Sequence, residues 1–207
     1  MRLAVFSTIG LVLALATAPF VGAGAKASVS NGVDVAYASV GSDTSIPYGW
    51  VEFCQRYASE CEASGKVADV NLTEASMREI RQVNLFVNHA VEAISDMEHW
   101  GVVDRWDLPL DGKGDCEDYA LMKRKILIER GYPRAALLVT VVRDAQNEGH
   151  AILTVKTNSG EFILDNLTDE VKPVSRISYH FVKRQSQQDP NVWLALGPIA
   201  AQKFATR

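Results

Sequence analysis

The stretch "GKGDCEDYALMKRKILIERGYP", residues 112–133, decides how the rest of the chain is read. Its apolar residues fall on more than one side of a helix: Tyr119, Ala120, Met122, Ile126 and Leu127 form a broad face, and Leu121 with Ile128 a second patch. A helix covered on both sides is expected. It stops at Gly131, with Pro133 just beyond. Cys116 then lies in the first turn, where unpaired amides and the positive end of the helix dipole favour a thiolate and an adjacent oxyanion. Asp115, Glu117 and Asp118 crowd the same thiol, and nearby carboxylates raise a thiol pKa. Something must offset that field if Cys116 is to react. In the plainer reading the acids cap the helix and Cys116 is a small buried apolar side chain.

Downstream, "AALLVTVVR" (135–143), "HAILTVKT" (150–157) and "EFILDNLT" (161–168) read as consecutive antiparallel strands. The "NSG" between the last two marks a hairpin. If Thr157 opposes Gly160 across a two-residue turn, His150 stands opposite Leu167, and Asp165 is its diagonal neighbour on the same face. A three-residue turn would slip the register and part them. A cysteine at a helix start, a histidine on one strand and a carboxylate on the next form the arrangement a thiol nucleophile needs: the imidazole takes the proton and the carboxylate fixes its tautomer. His89, His99 and His180 have no matched carboxylate in this reading and are assigned to packing or surface roles.

Upstream, "NLTEASMREIRQVNLFVNHAVEAI" places Ile80, Val83, Val87, Val91 and Ile94 at steps of three and four, an amphipathic helix with Thr73 as N-cap. Asn84 sits on that apolar stripe and Asn88 at its margin, so Asn84 needs a buried hydrogen-bond partner. The segment "SDMEHWGVVDRWDLPLDGKG" is too long for a tight turn and is expected to wall a site.

The 207-residue chain is 47% hydrophobic and carries a formal net charge of −4 with pI near 5.6, so one domain of ordinary core size is expected and nothing points to nucleic acid. Arg2 followed by an apolar run and "ATAPFVGAGAKAS" is the layout of a secretory signal peptide, residues 1–27; left uncleaved, it would be a membrane anchor. Residues 28–46, small and polar, read as a flexible leader, and 47–207 as the domain. In an oxidising compartment Cys54 and Cys61 pair, leaving Cys116 unpaired.

With these features in place, "DRWDLPLDGKGDCEDYALMKRKIL", "GHAILTV" and "FILDNLTDEV" resemble the bacterial transglutaminase-like cysteine peptidases, the group that includes LapG-like periplasmic proteases, over roughly Trp50 to Leu196. The resemblance implies an α+β, papain-like or transglutaminase-like fold with N-terminal helices packed on an antiparallel sheet. It implies Cys116, His150 and Asp165 as the catalytic triad, a protein substrate and a periplasmic or secreted location. For the LapG branch it also implies calcium held by Asp115 and Glu117, with no organic cofactor. From the residues themselves an EF-hand is not met, since Lys113 and Met122 stand where acids are required from Asp111, and zinc lacks a closed ligand set. The expected activity is an endopeptidase working through a thioester. The alternatives are an acyl transferase or deamidase, which share the intermediate, and a binding module without turnover.

Overall fold

The computed structural model describes residues 35–63 and 65–202. In chain order it runs β1 (Val35–Thr44), α1 (Tyr48–Arg56), α2 (Glu74–Ala90), β2 (Glu92–Ala93), α3 (Asp96–His99), β3 (Lys113–Gly114), α4 (Cys116–Glu129), β4 (Leu137–Arg143), β5 (Gly149–Thr157), β6 (Gly160–Asp165), β7 (Thr168–Pro173), β8 (His180–Gln185) and β9 (Trp193–Gln202). The long strands form one seven-stranded sheet in the order β1-β9-β8-β4-β5-β6-β7, every pairing antiparallel. This is the expected α+β arrangement of helices on an antiparallel sheet.

The two long helices form as their sequences dictate. In α2, Thr73 Oγ1 accepts from Ser76 N at 3.1 Å while Thr73 N donates to Ser76 Oγ, and Ile80, Val83 and Val87 are fully buried. The helix ends at Ala90, short of the Ile94 that the periodicity suggested. In α4, Tyr119, Ala120 and Leu127 pack with the α2 stripe onto Leu137, Leu153, Val155 and Leu164 of the sheet. Leu121 turns the other way, into a cluster with Trp50, Phe53, Trp106 and Trp193. The helix is therefore covered on two sides, and it closes at Gly131, whose φ of +89° suits glycine.

The hairpin register is the one expected from a two-residue turn: Thr157 pairs Gly160 and Leu153 pairs Leu164. Because side chains alternate along a strand, His150 shares a face with Ile152, and Asp165 shares the same face with Ile163. Ile152 and Ile163 lie in the cluster opposite the helix layer, with Ala36, Val142, Val174 and Phe181. The chain beyond β6 covers this second face, and β1 crosses it: Ala38 N donates to Glu161 Oε2 at 2.9 Å.

One expectation changes here. Val35–Thr44, expected within a flexible leader, forms β1 and pairs β9, so the domain starts before residue 47. Ala36 and Ala38 are small enough to lie against the sheet, which is why a segment without large apolar residues can still be a strand. The expected signal peptide, residues 1–27, and residues 28–34 of the leader lie outside the described residues. Among the described residues no helix is long and apolar enough to cross a membrane. Cys54 and Cys61 are joined by a disulfide that links α1 to the turn after it, and Cys116 is free.

Candidate active site

The start of α4 is built around Asp118. Its Oδ1 accepts from Asp107 N at 2.7 Å and its Oδ2 from Asp115 N at 3.4 Å, tying the long connection before α4 to the first helical turn. Gly114 leaves room for this carboxylate, since a Cβ there would meet Asp118 Oδ2 at 2.5 Å. Burial pushes the Asp118 pKa up to about 8.

This frame sets Cys116 in a cleft of about 280 Å³ whose walls include Trp106, Glu117, Val141, His150 and Lys183. Asp104 and Trp106 come from the long connection, as expected of a site wall. The Cys116 thiol donates to Glu117 Oε2 at 3.1 Å. Burial, then the Glu117 charge, raises its pKa well above the ordinary value, while the backbone amide of Ala151 opposes that shift.

His150 and Asp165 meet on the face opposite the helix layer. His150 Nε2 lies 2.9 Å from Asp165 Oδ1, and both residues are buried. Burial alone would raise the Asp165 pKa; hydrogen bonds from His150, Tyr179 and the Leu167 amide together bring it below the ordinary carboxylate value. Asp165 is thus ionised and can only accept, so Nε2 carries the proton and Nδ1 is left as the basic ring nitrogen. Leu167, expected opposite His150, lies beyond the end of β6 and is exposed.

The floor of this arrangement is polar. Asn88 Nδ2 donates to the Asp165 carbonyl at 3.0 Å, and Asn84 Nδ2 to the carbonyls of Thr168 and Asp169 at 3.1 Å, which meets the requirement for a partner. Lys123 of α4 is fully buried and its Nζ has no hydrogen-bond partner. Loss of water pushes its pKa down to about 7 against the opposing pull of Asp165 and then Asp169.

Asp115 and Glu117 are joined by a residue the sequence did not single out. Asp96, in the first turn of α3, brings a third carboxylate, and one oxygen of each of Asp96, Asp115 and Glu117 lies within 4.8 Å of the others. Asp115 Oδ2 accepts from Asp96 N at 3.2 Å, and its buried Oδ1 has no hydrogen-bond partner. Asp96 Oδ2 accepts from Arg105 N. Burial raises all three pKa values, Glu117 most; the Asp115 charge adds to the rise of Asp96 and Glu117, and the Asp104 charge to that of Asp115. An orphaned buried oxygen among hard oxygen donors suits a cation such as calcium.

The remaining histidines lie elsewhere. Two of them, expected to lack a matched carboxylate, have one: His89 pairs with Asp169 at 3.0 Å and His99 with Asp111 at 2.9 Å, while His180 is an exposed strand residue. Sequence reading missed Asp96 and Tyr179. Asp96 resembles any acid at a helix start, and Tyr179 is a lone tyrosine in the connection between β7 and β8.

Comparison with known proteins agrees with this architecture. The family model described as "Bacterial transglutaminase-like cysteine proteinase BTLCP" matches residues 40–200. Calcium-bound LapG of Legionella pneumophila is similar in structure, with a TM-score of 0.51 and 23% identity over 71% of this chain and 78% of that one. A second LapG structure from the same organism gives a TM-score of 0.48 and 27% identity over 57% and 68% of the two chains. No curated protein sequence matches.

Proposed function

The chain belongs to the bacterial transglutaminase-like cysteine proteinases, and on that premise we propose that it is an exported endopeptidase that cleaves a protein substrate through Cys116, His150 and Asp165. The observation that carries the proposal is the 2.9 Å contact of His150 Nε2 with Asp165, made by a histidine that lines the same cleft as Cys116 at the start of α4. With Nε2–H held by Asp165, the basic Nδ1 takes the Cys116 proton, and Asp165 stabilises the imidazolium. The thiolate attacks the scissile carbonyl, the amine leaves with the proton from the imidazolium, and a thioester remains on Cys116. Water, losing its proton to His150, then attacks the thioester, releases the acid and restores the thiol.

Asp96, Asp115 and Glu117 are proposed to hold calcium. When bound, the ion would supply positive charge beside the thiol and offset the carboxylates that oppose its ionisation. The carboxylates supply part of the six to eight oxygens calcium takes, with backbone or water oxygens completing the set. The Legionella pneumophila LapG structure that is calcium-bound lends support. Export to the periplasm is supported by the signal-peptide layout of residues 1–27 and by the Cys54–Cys61 disulfide, a bond of oxidising compartments.

The test is to incubate envelope protein extracts with the wild-type protein and with Cys116→Ala, and to map new N-termini by mass spectrometry. New N-termini generated by the wild type alone are expected. The same set from Cys116→Ala, or none from either protein, would contradict the proposal.

A further inference from the structure

Asp165 is engaged on both carboxylate oxygens, but by unlike partners. Oδ1 faces His150 Nε2 at 2.9 Å and also accepts from Leu167 N at 3.1 Å, a contact within its own turn. Oδ2 accepts from Tyr179 Oη at 2.7 Å. Tyr179 also packs edge to face on the His150 ring, with centroids 5.5 Å apart and planes at 77°. One side chain therefore touches both members of the histidine–carboxylate pair.

Tyr179 does this from a well-anchored position. It lies between β7 and β8 and packs with Ile177 against the cluster that holds Val142, Ile152 and Phe181. We propose that Tyr179 is a positioning residue for the reaction: its hydroxyl fixes the rotation of the Asp165 carboxylate, and its ring fixes the plane of the His150 imidazole. The proposal rests on the assignment of Cys116, His150 and Asp165 made above.

The physical case has two parts. A carboxylate at the end of a strand can turn about Cβ–Cγ, and a turn that takes Oδ1 away from Nε2 lets the imidazole change tautomer or swing. With Oδ2 tied to a phenol, that turn must also break a hydrogen bond to a charged acceptor. The phenol can hold this role over the whole working range, because burial and then the Asp165 hydrogen bond push its pKa above the ordinary value and keep it a donor. Tyr179 reaches Cys116 only through His150 and Asp165, so its effect must vanish when His150 is removed. A purely structural tyrosine would show no such dependence.

The experiment is a double-mutant cycle on thiol reactivity, with iodoacetamide as the probe and calcium present. Second-order alkylation rates of Cys116 are measured near neutral pH for wild type, Tyr179→Phe, His150→Ala and the double variant, with thermal melts to confirm folding. Tyr179→Phe keeps the ring and removes only the hydroxyl. It should slow alkylation by about tenfold, the scale of one lost hydrogen bond to a charged group, while the double variant should react at the rate of His150→Ala. A wild-type rate in Tyr179→Phe, with His150→Ala still slow, would overturn the positioning role and leave the triad standing. An equal loss from Tyr179→Phe in both backgrounds would also overturn it, as a structural effect. If His150→Ala itself reacts at the wild-type rate, the triad assignment fails and the positioning role fails with it.

Discussion

Asp165 Oδ1 lies 2.9 Å from His150 Nε2, although the two residues sit on neighbouring strands and are not a directly opposed pair. The hairpin register sets them diagonally on one face, and Asp165 is held below the ordinary carboxylate range, ionised beside the ring. If this contact orients the base, Asp165→Asn should lower thiol alkylation and any peptide cleavage by about a hundredfold, the lower end of what an oriented acid–base group contributes. A fall in kcat with KM nearly unchanged is expected. A rise in KM of that size with kcat unchanged would make Asp165 a substrate-binding group.

Mass mapping after iodoacetamide without reductant should place nearly all label on Cys116, since Cys54 and Cys61 are bonded to each other. Comparable labelling of all three cysteines would remove the disulfide. The bridge closes a short loop between residues seven apart, and loop closure on that scale stabilises by about 2 kcal/mol. Cys54→Ser with Cys61→Ser should lower the melting temperature accordingly while the Cys116 alkylation rate stays near that of wild type.

The calcium assignment makes a separate prediction. Added calcium should raise the melting temperature and chelator should lower it, with a gain of about 2.7 kcal/mol when calcium is at a hundred times its Kd. Replacing Asp96 or Asp115 by asparagine should abolish the shift. No response in the wild-type protein, or an undiminished response in Asp96→Asn, would leave the three carboxylates as a structural cluster only.

Much of the site was legible because the decisive features are local. The short turn between Thr157 and Gly160 sets the register that brings His150 to Asp165, and the run from Asp115 to Gly131 declares both ends of its helix. Three other features depend on distant partners and carried no pattern. Tyr179 matters only because its connection folds back onto Asp165, and Asp96 only because Asp115 lies beside it. In β8, Arg184 is buried because it meets Glu161 of β6 at 2.6 Å, a pairing that hydrophobic periodicity does not reveal. The strand at 35–44 escaped for a related reason: its contribution is a backbone ladder with β9, and its buried side chains are alanines.

Lys123 of α4 is fully buried and its Nζ has no hydrogen bond. Its pKa in the folded protein is about 7, against an ordinary value of 10.5. Between these values the unfolded chain binds the extra proton, so this group makes stability rise with pH across that window, and below about 7 its burial cost is constant. Lys123→Met should therefore stabilise the fold by on the order of a few kcal/mol at pH 6 and less at pH 9, read as a higher melting temperature. A lower melting temperature at pH 6 would mean that the ammonium has partners that repay its burial.

Hydrolysis at Cys116 is the central claim, and the most direct measurement uses a trapped substrate. Envelope proteins retained by Cys116→Ala protein are released and incubated with wild type, with and without an added primary amine, and the products are read by mass spectrometry. Hydrolysis predicts two fragments with one new N-terminus, a pattern the amine leaves largely intact, and no product when Cys116→Ala replaces the wild type. Amine incorporated at glutamine or cross-linked species of higher mass, with no new N-terminus, would contradict it and assign the thioester to acyl transfer.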